Sequence, residues 1–184
     1  MPESPDITSC ELMELERAFD EVARSDASRL RERAERLRAL DELLSTDPVL
    51  SFQGRAAEWI FDDLKEAWIC GCFIAVILLS DALARQQLAG QLRLLPGDPS
   101  LPEGSLSLDR LASIAAEFDL VSIDLQAELM ELHDRAEPYT STDLQHYSPL
   151  AERHLTDAGI ATADDNPLAT DAWKALTCVV SLLR

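Results

Sequence analysis

Between Ser9 and Ser45 the chain is rich in Glu, Arg, Leu and Ala and contains neither Gly nor Pro, a composition that predicts helix throughout. Within it Leu30, Ala34, Leu37, Leu40 or Asp41, and Leu44 recur at spacings of three and four, so an apolar stripe is set against a face of Arg and Glu. Ser25-Asp26 supplies an N-cap part-way along, which leaves open one long helix or two joined there. Thr46-Asp47-Pro48 ends the element, because the residue before a proline is pushed out of helical geometry.

A second helical pattern runs from Phe52 to Trp68, with Ala56, Trp59, Ile60, Leu64, Ala67 and Trp68 on its apolar side. Gly71 either stops this helix or permits close packing within a longer one. Cys72 to Leu94 is apolar all round in its first half and turns polar at Asp81, Arg85 and Gln86, which suits a helix at the centre of a bundle. Leu95 to Ser105, with three prolines and two glycines, is a loop. Beyond it, Ser107-Leu108-Asp109 opens a helix to Phe118 and Ser122 caps one to about Arg135. Ser141-Thr142-Asp143 caps a further helix to about Ala158, and a last one spans Leu168 to Leu183. No segment alternates with period two and no repeat is visible, so the fold class expected is all-α.

At 184 residues and 47% hydrophobic content the chain fits one folded domain with an extension, and the boundaries expected are an N-terminal helical extension over 1–48 and a bundle over 49–184. Its 34 acidic against 16 basic residues give a net charge of −18, which opposes binding to a polyanion. From Gly97 to Asp171 the only cations are Arg110, Arg135 and Arg153, so nucleic acid is disfavoured, while a basic protein partner suits such a surface. Cys10, Cys70, Cys72 and Cys178 form no Cys-x-x-Cys pair and read as free thiols in a reducing cytoplasm. The acidic, proline-bearing start Met1-Pro2-Glu3-Ser4-Pro5-Asp6 is not a signal peptide, and the apolar run Ala67 to Leu79 is short for a bilayer, so no membrane association is expected.

The run Lys65 to Leu79, continuing to Leu83 and Leu88, resembles the central helices of the HEPN superfamily. Leu108 to Val121 looks like the helix and turn that precede the family's motif, Leu132 to Ser141 falls where that motif belongs, and Ala172, Ala175, Leu176 and Leu182 resemble the closing helix. The similarity covers roughly residues 55 to 184 and leaves the N-terminal helix, or helix pair, as an addition.

In active HEPN ribonucleases an Arg, a polar neighbour and a His five or six positions later converge across a dimer. Arg stabilises charge on the reacting phosphate and His moves protons near neutral pH. The resemblance lays Ala136 on the Arg, Glu137 on the polar residue, Pro138-Tyr139 on a turn and Ser141 on the His. Starting instead from Arg135 leaves His146 too far along. The resemblance therefore implies a homodimer that has lost ribonuclease chemistry and serves regulation, in a toxin–antitoxin, phage-defence or stress system.

No catalytic residue is assigned, and the candidate ligand positions are His133, Arg135, Glu137, Tyr139 and Ser141. Arg135 could hold a carboxylate or phosphate and Tyr139 could stack on a base, set against a salt bridge from Arg135 to Glu131 and a packed turn. His133, His146 and His154 lie in no Glu-x-x-His pattern, so neither metal nor cofactor is expected. Trp59, Trp68 and Trp173 read as core anchors. Two other readings stay open: a divergent metal-independent ribonuclease using Arg135 with His133 or His146 across a dimer, and an architectural bundle unrelated to HEPN.

Overall fold

The computed structural model describes residues 9–46, 49–95, 106–140 and 166–184. Among these the architecture is all-α, with α1 Ser9–Ser45, α2 Arg55–Cys70, α3 Phe73–Arg93, α4 Leu108–Glu117, α5 Ile123–Thr140 and α6 Pro167–Leu183, and no strand. The helix expected from Ser141 to Ala158, and most of the Leu95 to Ser105 loop, lie outside the described residues.

Helix α3 is the axis of the bundle, with α2, α4, α5 and α6 packed around it. By length and apolarity α3 would suffice to cross a membrane, but it carries buried polar residues, Ser80, Asp81 and Gln87, and is wrapped by protein. Gln87 has a structural use: its Oε1 accepts from Gln53 N at 2.9 Å and its Nε2 donates to Ser51 O at 2.8 Å, clamping the segment before α2 onto α3. Gly90 permits that approach, since a Cβ there would stand 2.5 Å from Gln53 Cβ.

The α2–α3 junction is a break. Gly71 sits at φ 75°, while Cys72 N donates to Ala67 O at 2.9 Å and Gly71 N to Trp68 O at 3.0 Å, the paired bonds of a Schellman stop. Helix α4 ends on the same pair of bonds, Leu120 N to Ala115 O and Asp119 N to Ala116 O, with Asp119 held at φ 55°. Ser122 caps α5 as expected, its Oγ accepting from Leu125 N at 3.1 Å. An Asn166 cap followed by Pro167 opens α6, with Asn166 Oδ1 accepting from Leu168 N at 3.0 Å.

Three expectations need correction. Ala57, Phe61, Leu64 and Trp68 form the buried face of α2: Leu64 and Trp68 belong to the stripe read in the sequence, and Ile60 and Ala67 pack partly on the core, but Ala56 is exposed and Trp59 is 65% exposed, so Trp59 is not a core anchor. Pro138-Tyr139 is not a turn after a helix: α5 continues past Arg135 to Thr140 with Pro138 inside its last turn. A proline there removes one helical hydrogen bond, and burial of Ala136 and the packing of Tyr139 on the core keep the turn helical. Finally, the apolar stripe of α1 is covered only at its C-terminal end: Leu40 is buried and Leu44 packs on the core, while Leu30, Ala34 and Leu37 are exposed, and Arg36 fastens α1 to the end of α2.

Candidate functional site

His133 and Arg135 lie two residues apart on α5, which on a helix turns them about 200° apart. Each faces a different interface.

His133 points toward α3 and α4. Its Nδ1 lies 3.3 Å from Asp81 Oδ1 and its Nε2 3.9 Å from Asp109 Oδ1. Asp81 is 2% exposed, and Arg85, one turn along α3, binds its other oxygen. A carboxylate only accepts, so a hydrogen bond between the two needs a proton on Nδ1. The Asp109 carboxyl is held below its ordinary range, chiefly by a hydrogen bond from Ser107; its partial burial opposes this, while the Arg110 backbone N–H and nearby His133 reinforce it. Buried Ser80 Oγ, Arg85 Nε and Asp109 Oδ1 have no hydrogen-bond partner among the described residues. The cluster brings together a buried carboxylate and an arginine of α3, a histidine of α5 and a carboxylate of α4.

Arg135 points toward α6. Its Nη2 pairs with Glu131 Oε2 at 2.7 Å and its Nε with Asp171 Oδ1 at 3.5 Å. Beside it a cleft of about 360 Å³ is lined by Glu128, Glu131, Trp173, Lys174 and Cys178. Two carboxylates therefore occupy the guanidinium that an incoming anion would need. Burial pushes the Cys178 thiol up to about 12, with Glu128 and Glu131 adding to the effect and Arg135 opposing it, so a nucleophilic thiolate is disfavoured there.

Of the remaining candidates, Glu137 is exposed with its carbonyl accepting from Thr140 Oγ1 at 3.0 Å, Tyr139 is half-buried against the core, and Ser141 lies outside the described residues. The fold thus separates His133 from Arg135 instead of bringing them together. Asp81 and Asp109, which complete the His133 cluster, are invisible as partners in the sequence because three helices bring them in; the one local signal is an acid midway along the most apolar helix. No group of three or more His, Cys, Asp or Glu among the described residues is arranged to hold a metal ion.

The outer surface offers a different kind of site. Arg36 and neighbouring residues fasten α1 to the bundle: Arg36 Nε donates to Ile69 O at 3.1 Å, Arg36 O accepts from Trp68 Nε1 at 3.0 Å, and Arg33 Nη2 donates to Cys70 Sγ at 2.9 Å. Cys70 is the last residue of α2, so the helix N-terminal to Arg33 runs on past that end. Phe19 is 66%, Leu30 63% and Leu37 44% exposed along it. No protein-family model, curated protein or solved structure matches this chain.

Proposed function

We propose that this chain is a non-catalytic protein-interaction module: a bundle of the HEPN type over residues 49–184, carrying α1 as an added docking helix, and acting as a cytoplasmic homodimer in a regulatory or defence setting. The observation that carries this reading is the uncovered apolar face of α1. A helix of 37 residues that exposes Phe19, Leu30 and Leu37 to water gains by covering them with another protein. The order of α2, a glycine break, α3, then α4, α5 and α6 supports the HEPN-type assignment.

The absence of chemistry is supported by the way the candidate groups are engaged. His133 and Arg135 each answer to carboxylates on separate faces of α5, and the net charge of −18 repels a phosphate backbone. Incubation of mixed RNA with the full chain and with Arg135→Ala and His133→Ala tests this. The reading expects the same background for all three; cleavage that disappears with Arg135→Ala would establish the ribonuclease alternative.

A further inference from the structure

Two stripes of matching spacing lie on the outside of this molecule. On α1, Leu30, Ala34 and Leu37 stand at i, i+4 and i+7, all exposed. On α5, Ile123, Ala127 and Met130 stand at i, i+4 and i+7, all exposed, with Ile123 81% and Met130 43% accessible. Each is a large–small–large row, in which the central alanine lets two helix backbones approach while the flanking side chains interdigitate.

Their rims differ in charge. The α1 row is bordered by exposed Arg29, Arg31, Arg33 and Arg38 against exposed Glu35, with Asp41 and Glu42 just beyond its end, so this rim is mixed and mainly basic; the ion pairs of Arg31 to Glu35 and of Arg38 to Glu42 are long, each at 3.8 Å, and exposed. Such pairs hold Arg31 and Arg38 weakly and leave them free to exchange partners, while Arg33 is also held by Cys70 Sγ at 2.9 Å. The α5 row is bordered by exposed Asp124, Asp134 and Glu137, for which no cation among the described residues lies within ion-pairing distance.

We infer that the α1 stripe of one copy docks on the α5 stripe of a second copy, and that the contact is reciprocated in a two-fold dimer. This rests on the reading of the chain as a self-associating interaction module and names the surfaces that do it. Setting the Leu30–Leu37 row against itself would bring two mainly basic rims together, and setting the Ile123–Met130 row against itself would face acid with acid; the cross-pairing joins a mainly basic rim to an acidic one. It also covers both apolar rows at once, which either self-pairing fails to do.

Sedimentation velocity of the full chain tests the inference, with one variant carrying Leu30→Glu and Leu37→Glu and another carrying Ile123→Glu and Met130→Glu. All four positions are exposed on helices, so glutamate there is compatible with the fold, and unchanged circular dichroism confirms it. Each double variant alone should self-associate about 100-fold more weakly than the wild type, because both reciprocal contacts lose their apolar row. An equimolar mixture of the two should regain a heterodimer, since the intact α1 of one meets the intact α5 of the other. Wild-type association that survives the α5 changes, including an α1-on-α1 pairing, overturns this inference and leaves the interaction-module reading standing. A mixture that stays monomeric while the wild type dimerises also overturns it, and a wild type that is itself strictly monomeric overturns both.

Discussion

Trp68 donates its indole N–H to the Arg36 carbonyl at 3.0 Å, while the Arg36 guanidinium bonds the carbonyl of Ile69, the residue after Trp68, and lies 5.8 Å from the centre of the Phe73 ring. The two residues lock α1 to the end of α2 from both sides. Trp68 also stacks against Trp173 at 5.0 Å, so the fastening of α1 reaches through to α6. Replacing Trp68 with Phe keeps most of the ring packing and removes the indole donor, and should cost about 1 kcal/mol. Trp68→Ala should cost about 3–5 kcal/mol by opening a cavity under α1. Urea denaturation measures both, and hydrogen exchange should report earlier opening around Arg33 to Leu43 in the Phe variant.

Gly90 is a contact requirement rather than a flexible point. A methyl group there would stand 2.5 Å from Gln53 Cβ, a backbone-proximal atom with little freedom to yield. Gly90→Ala should therefore destabilise by about 1–3 kcal/mol despite alanine's better helix propensity. The shift should appear in the amide of Gln53, whose bond to Gln87 would loosen together with that of Gln87 to the Ser51 carbonyl.

Asp119 offers the opposite case. It holds φ 55° at the stop of α4, is exposed, and occupies a conformation that glycine adopts without steric cost. Asp119→Gly should raise stability by about 1 kcal/mol, seen as a higher denaturation midpoint.

Thiol chemistry separates the cysteines. Cys70 and Cys72 are exposed and Cys178 is buried, so brief alkylation of the native protein at pH 8 should label the first two and spare the third. Burial raises the folded Cys178 thiol from 9.0 to about 12. Above pH 9 the unfolded chain therefore releases this proton while the folded chain retains it. The unfolded state binds fewer protons, and stability contributed by this site falls as pH rises from about 9 to about 12. Below pH 9 the site contributes no slope, and Cys178→Ala should flatten the decline above it.

How far the sequence carries depends on which forces are local. Helix existence and the start of α5 at Ser122 are legible because composition and hydroxyl capping act within a few residues, whereas the sequence leaves Gly71 as either a stop or a packing site and the left-handed backbone there settles it as a stop. The central place of α3 is legible too, since its first half has no polar face to turn outward. Which side of a helix is buried is not local. In α1 the expected stripe is covered at Leu40 and Leu44 and left open at Leu30 and Leu37, while Arg36 beside it makes bonds with the end of α2 that no periodicity records. Trp59 is exposed because the buried face of α2 runs through Ala57, Phe61, Leu64 and Trp68. At the candidate site, Arg135 with Glu131 is readable as an i, i+4 pair, whereas Asp171 joins it from another helix. The Asp81–His133 pair spans positions far apart in the chain and only the bundle reveals it.

The proposed function rests on association and not on chemistry. Sedimentation equilibrium of the full wild-type chain, from low to high micromolar concentration at low and at raised salt, decides this. A concentration-dependent dimer that weakens as salt screens the Arg and Asp/Glu rims is the expected result. A strictly monomeric species across the whole range would overturn the proposal.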